Sequence, residues 1–165
     1  MSSSGNPTMD TLGLDAAAVT DLRVAVITST WNEEITDRLH AHAVARGREL
    51  GATVDEYRVV GALEIPVVTQ ALARTGTYDA LVACGCVIRG DTPHFDYVAR
   101  LVNDGLLRVQ LDEQLPIGNG VLTTNTEEQA IVRSGVDGGV EDKGADAMSA
   151  ALHTCVVVRS IARAR

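Results

Sequence analysis

Aromatic residues are scarce in this 165-residue chain: one Trp, one Phe and three Tyr make up 3% of it. A core built on stacked rings is therefore excluded, and packing must come from Val, Ile, Leu and Ala. Cysteine is also sparse. Cys84, Cys86 and Cys155 are an odd number set in apolar segments, which points to buried thiols and away from a disulfide framework. No second cysteine pair or histidine cluster lies near Cys84-Gly85-Cys86, so no metal site is expected. Long hydrophobic runs are missing. Nothing approaches the roughly 20 apolar residues that span a bilayer, and residues 1–10 lack the basic flank and apolar centre of a signal peptide. A cytoplasmic protein is expected. Positive charge is short as well: a net charge of −8 and a pI near 4.9 argue against nucleic acid or an anionic membrane as partner. A small molecule or another subunit is left.

With 45% hydrophobic and 22% charged residues, the chain is long enough for one well-buried core and too short for two. Residues 1–21, rich in Ser, Gly, Thr and Ala without a sustained period, are expected to form a flexible N-terminal arm. Residues 22–165 form the single domain. Its first unit is an apolar run over 22–28, the junction Ser29-Thr30-Trp31-Asn32, and a helical stripe of Ile35, Leu39, Ala43 and Leu50 that stops at Gly51. A weaker strand over 53–60 leads through Gly61-Ala62-Leu63-Glu64-Ile65-Pro66 into a short helix ending at Gly76. A strand over 81–88 precedes a helix from Pro93 to about Asn103, and 106–111 and 120–123 read as further strands. Thr126-Glu127-Glu128-Gln129 matches a capping box, so a helix carrying Arg133 is predicted there. Residues 135–139 break the pattern. The last helix, from Glu141 to about Ala164, aligns Ala145, Met148, Leu152, Cys155, Val156 and Ile161. Strands alternating with helices imply a three-layer α/β/α domain with a central parallel sheet, whose ligands bind beyond the carboxyl ends of the strands.

One stretch is the most informative. Val87-Ile88-Arg89-Gly90-Asp91-Thr92-Pro93-His94-Phe95-Asp96 joins a buried-strand pattern to a helix start. Gly90 frees the backbone to turn and Pro93 suits the first helical position, so the amides near Asp91 to His94 point outward. Such amides at a positive helix end favour a phosphate or carboxylate, and the His94 imidazole beside them is a group that gives and takes protons near neutrality. A capped helix with a surface histidine fits the same residues. Trp31, Ala62 to Glu64 and Cys86 to His94 all follow strands directly, so they are expected to gather at one sheet edge. There Trp31 is suited to stack on a planar heterocycle, as Phe95 is, and Glu64 to hydrogen-bond its ring edge. A bland alternative makes Glu64 a helix-terminal carboxylate.

Four blocks resemble the lumazine synthase family: Gly61-Ala62-Leu63-Glu64-Ile65-Pro66, the stretch from Val87 to Tyr97, Gly120 to Ala130, and Asp142-Lys143-Gly144-Ala145. The similarity runs in order from about Leu22 to the C-terminus, and Arg-Gly-x-Thr-Pro-His-Phe-Asp is highly specific. It implies a flavodoxin-like fold and an enzyme of riboflavin biosynthesis without metal or organic cofactor. The reaction implied condenses 5-amino-6-(D-ribitylamino)uracil with 3,4-dihydroxy-2-butanone 4-phosphate to 6,7-dimethyl-8-ribityllumazine, phosphate and water. By resemblance, Trp31 stacks on the pyrimidine, and Ala62, Leu63, Glu64, Cys86, Val87 and Ile88 bind its edge and ribityl chain. Gly90, Asp91 and Thr92 form the phosphate turn, and His94 is the catalytic acid and base.

The resemblance also implies a homopentamer or a multiple of pentamers, with sites shared between adjacent subunits and riboflavin synthase as a further partner. The neighbour would supply Asn119 and Lys143 to the pyrimidine and Arg133 to the phosphate. A solvated helical face is the bland alternative for Arg133 and Lys143. Two departures stand out. Many members carry Phe at the positions of Trp31 and Asn119, and loop 135–141 lacks the Gly-Asn-Lys-Gly pattern of capsid-forming relatives, which favours a free pentamer. A flavin- or lumazine-binding storage protein is the competing class. It needs neither His94 nor Arg133.

Overall fold

A computed structural model describes residues 16–164. Four strands form one parallel sheet in the order β2-β1-β3-β4: β1 (Arg23–Ser29), β2 (Thr53–Val59), β3 (Ala80–Ile88) and β4 (Ile117–Thr124). Helix α1 (Ala16–Val19) precedes β1, and α2 (Glu33–Glu49) links β1 to β2. A single 3₁₀ turn (Ala62–Glu64) runs into α3 (Ile65–Arg74), and α4 (His94–Asp112) follows β3. Short α5 (Glu127–Ile131) and long α6 (Lys143–Arg163) close the domain. This is the α/β/α architecture with a central parallel sheet expected from the alternation of strands and helices. Among the described residues, no helix is long and apolar enough to cross a membrane.

Two cores lie on opposite faces of the sheet, and the alternation of strand side chains sorts residues between them. Val24, Val26, Val82 and Cys84 point to the layer of α2 and α6, where they meet Leu39, Ala43, Met148 and Leu152. Ala25, Ile27, Leu81 and Ala83 point to the layer of α3 and α4, where they meet Ile65, Leu72, Val102 and Leu106. Burial on both faces is why Val24 to Ile27 of β1 and nearly all of β3 read as apolar runs. Tyr78, in the α3/α4 layer, is the one aromatic ring among the buried residues of these two clusters. Each fully buried Leu or Ile contributes about 1.5–3 kcal/mol.

Five sequence expectations change. Residues 106–111 are not a strand but the second half of α4. Val102, Leu106 and Val109 are buried while Leu107 and Leu111 face out, a helical period that a run rich in Leu and Val disguises. Gly105 does not end the helix. A Cβ there would lie 2.9 Å from the Pro66 ring, so glycine lets α3 and α4 approach. The Thr126 box is half formed: Thr126 Oγ1 accepts from the Gln129 amide at 3.2 Å, but the Gln129 side chain accepts from the Asn125 amide instead. Helix α5 ends before Arg133, which sits in the turn beyond it. On α6, Ile161 is exposed, because six residues beyond Cys155 turn the helix by about 1.7 turns, away from the buried stripe. The expected arm ends in an ordered segment: α1 carries the buried Val19, while residues 1–15 lie outside the described residues.

Helices α2 and α6 touch at Gly144, where a Cβ would fall 2.2 Å from the Leu39 carbonyl oxygen. Gly144→Ala is expected to force the helices apart at a cost of about 1–3 kcal/mol, read as a lower thermal midpoint. An unchanged midpoint would show that this contact is not tight in solution.

Candidate active site

The carboxyl ends of β1, β2 and β3 open into a cleft of about 480 Å³. Trp31, Ala62, Leu63, Glu64, Cys86, Val87, Ile88, Gly90, Thr92 and His94 line it, together with Asn32, Val60, Phe95 and Val98. Asp91 is exposed and is not among the lining residues.

Trp31 stands at the mouth, 68% exposed. It is held there by the sharp handover from β1 to α2, in which Asn32 takes a left-handed conformation (φ 58°) and donates from Nδ2 to the Cys86 carbonyl at 3.2 Å. The left-handed residue ties the ends of β1 and β3 across the cleft floor. Opposite, the Glu64 carboxylate accepts from the Gly61 amide at 2.8 Å. The bland expectation for Glu64 is thus realised inside a residue that also lines the cleft. Its second oxygen is the one available to a ligand.

The turn after β3 is built differently from the expectation. Gly90 has no positive φ, and a Cβ placed on it would meet nothing within 4 Å. Glycine is therefore not needed for the turn itself; it leaves space over the amides. Pro93 caps α4, which starts at His94, and the His94 amide donates to Thr92 Oγ1 at 3.4 Å. The turn is clasped from outside. Arg89 donates to both Asp96 oxygens (2.8 and 3.2 Å) and from Nε to Asn125 Oδ1 at 3.0 Å, and its guanidinium lies 4.3 Å from the centre of the Phe95 ring. One face of Phe95 is thereby occupied, leaving Trp31 as the open aromatic surface.

Cys86 is buried in the cleft wall, and burial pushes its thiol up to about 12. It is no thiolate nucleophile at neutral pH. Cys84 and Cys155 are likewise free and buried.

A second hollow, of about 460 Å³, lies along β4 and gathers Asn119, Arg133 and Lys143 with Gln129, Thr124 and Glu141. It shares no lining residue with the cleft. Asn119 donates to Asn103 Oδ1 at 2.7 Å and accepts from the Val121 amide, so both ends of its side chain are engaged within the chain. Arg133 Nη1 donates to the Gln129 carbonyl at 2.9 Å. Arg133 Nε and Lys143 Nζ both approach Glu141. Asn32, Arg89 and Glu141 escaped the sequence reading. A left-handed Asn, a clasp spanning two loops and a shared carboxylate have no local signature.

The family model described as 6,7-dimethyl-8-ribityllumazine synthase matches residues 21–159. The chain belongs to this family. A 6,7-dimethyl-8-ribityllumazine synthase of Corynebacterium efficiens is 68% identical over 142 residues, 86% of this chain and 88% of that protein. One from Corynebacterium glutamicum is 64% identical over 90% of this chain and 94% of its own length. One from Mycolicibacterium gilvum is 49% identical over 98% of both chains. Membership of the lumazine synthase family spans the whole sheet, the cleft and the second hollow.

Within this lumazine synthase fold, the Arg89 hydrogen bonds hold the Asp96 carboxyl below the usual aspartate range. Their contribution is present above the ordinary aspartate value and is lost as pH falls through the lowered one. An NMR titration is expected to find Asp96 depressed in the parent and raised in Arg89→Ala. Equal values in the two proteins would refute the clasp in solution.

Proposed function

We propose that the cleft condenses 5-amino-6-(D-ribitylamino)uracil with 3,4-dihydroxy-2-butanone 4-phosphate, giving 6,7-dimethyl-8-ribityllumazine in riboflavin biosynthesis. The observation that carries the reading is one cavity holding an open indole, a carboxylate, two residues of an unobstructed turn and an imidazole: Trp31, Glu64, Gly90 with Thr92, and His94. Trp31 supplies a flat apolar face for the pyrimidine, and Glu64 with the ends of β2 and β3 supplies acceptors and donors for its edge and for the ribityl hydroxyls. Thr92 and the amides at the start of α4 receive the phosphate. Imine formation, phosphate elimination, ring closure and dehydration each move a proton. His94, at the end of the phosphate turn, serves as the acid and base for them. Nothing in the cleft favours the storage reading.

The active unit in this reading is a homopentamer whose sites lie between adjacent subunits. The separation of the two hollows supports it, because Arg133 and Lys143 serve chemistry only if their hollow faces the cleft of another copy. Exposed Tyr97, Leu101, Leu107 and Leu111 on α4 provide apolar surface for such packing. Loop 135–141 supports a free pentamer over a capsid. The three buried free thiols fit a reducing cytoplasm, and riboflavin synthase is the partner that would consume the product.

Mixing the protein with both substrates is expected to produce lumazine absorbance; no product above the uncatalysed background would sink the reading. His94→Ala is expected to lower turnover by roughly 10- to 10⁴-fold. Reassembling His94→Ala with Arg133→Ala subunits is expected to restore about a quarter of the parent sites, since each site takes one half from each neighbour. No recovery would place all the residues of a site on one chain.

A further inference from the structure

The second hollow contains an acidic residue that neither the motif nor the proposed chemistry uses. Glu141 has a side chain only 4% exposed, yet it stands among charges. One carboxylate oxygen lies 3.4 Å from Arg133 Nε, and the other lies 3.3 Å from Nζ of Lys143, the chain's single lysine. A carboxylate this buried is costly unless its partners are held as firmly as it is. They are held. The Lys143 amide donates to the Arg133 carbonyl at 3.0 Å, the Glu141 amide donates to the Val132 carbonyl at 3.3 Å, and the Gly135 amide donates to the Glu141 carbonyl at 3.1 Å. The loop thus closes on itself and carries all three side chains as a unit.

The guanidinium is oriented as a result. With Nε facing Glu141 and one Nη1 hydrogen on the Gln129 carbonyl, Nη2 and the second Nη1 hydrogen remain able to bind a ligand. Charge is partly offset too. Of the charged side chains that line the hollow, the cations Arg133 and Lys143 face the single carboxylate Glu141, and Asp146, outside the lining, lies 3.7 Å from Lys143.

We propose that Glu141 is a positioning residue that holds Arg133 and Lys143 in one arrangement and offsets their charge, so that phosphate is oriented during elimination but not retained afterwards. The inference rests on the reading that Arg133 faces the substrate phosphate. In the elimination step His94 takes a proton from the neighbouring carbon, that C–H electron pair forms the new carbon–carbon double bond, and the carbon–oxygen bond breaks, so that inorganic phosphate departs with the electron pair of that bond. A site carrying two uncompensated cations would keep that product, because Arg in particular binds phosphate oxygens two at a time. Glu141 sets the balance between orientation and release.

Glu141→Gln keeps the shape and removes the charge. Inorganic phosphate, followed by phosphorus NMR titration and as an inhibitor of turnover, is expected to bind roughly tenfold more tightly to this variant, while kcat falls at unchanged thermal midpoint. A merely structural glutamate would lower the midpoint and kcat together and leave phosphate binding alone; that result, or a variant equal to the parent in both phosphate binding and kcat, overturns the proposal. Glu141→Asp keeps the charge but is one methylene too short to reach both cations. It is expected to bind phosphate like the parent with a lowered kcat, and should Glu141→Gln fail to fold, a parent-like kcat in Glu141→Asp overturns the proposal by itself. The titration needs no turnover. A parent that makes no lumazine therefore counts against the proposed function, whereas an active parent whose Glu141→Gln variant binds phosphate equally counts against Glu141 alone.

Discussion

The parallel register of β3 with its neighbours is the constraint on which the rest depends. Thr28 pairs with Cys84, and Ile88 pairs with Thr124, so the pairing of β1 with β3 stops four residues before β3 ends and leaves a step. The cleft occupies that step. A slip of one residue in this register would exchange the two faces of β3, placing Val82 and Cys84 against α3 and α4 and removing Leu81 and Ala83 from them. Because both faces are buried, such a slip would disturb two cores at once. The position of Cys86 to Ile88 relative to Trp31 is therefore set by packing across the whole sheet.

The strand order then separates the two hollows. With β1 and β3 in the middle, junctions after β1, β2 and β3 converge above the sheet, whereas β4 lies at one edge and carries Asn119 to Thr124 to its outer side. Arg89 bridges the two regions. It clasps the turn before His94 and also reaches Asn125 just after β4, so the loops that follow β3 and β4 are tied together.

The legible parts were those with a local cause. The apolar runs at the centres of β1 (Val24 to Ile27) and β3 were visible because burial on both faces leaves few polar positions in them. The cleft residues Trp31, Ala62 to Glu64, Thr92 and His94 were visible because each follows a strand, and parallel topology sends all such junctions to one edge. The second half of α4 was misread because Gly105 and the Leu-rich run after it resemble a break followed by a strand. Only the Pro66 ring packed on Gly105 explains that glycine. Gly90 was rightly placed at the turn but for the wrong reason: it supplies open space, not an unusual φ.

The sequence by itself determined the fold class, the family and the position of the turn after β3, because these depend on residue types at short spacing. Tertiary structure alone decided which charges meet. Arg133, Glu141 and Lys143 are brought together by a loop closed through its own backbone hydrogen bonds, and Arg89 finds Asn125 across a gap of 36 residues. Electrostatic partners act through space over a few ångströms, and that distance is set by packing. Spacing along the chain carries no record of it.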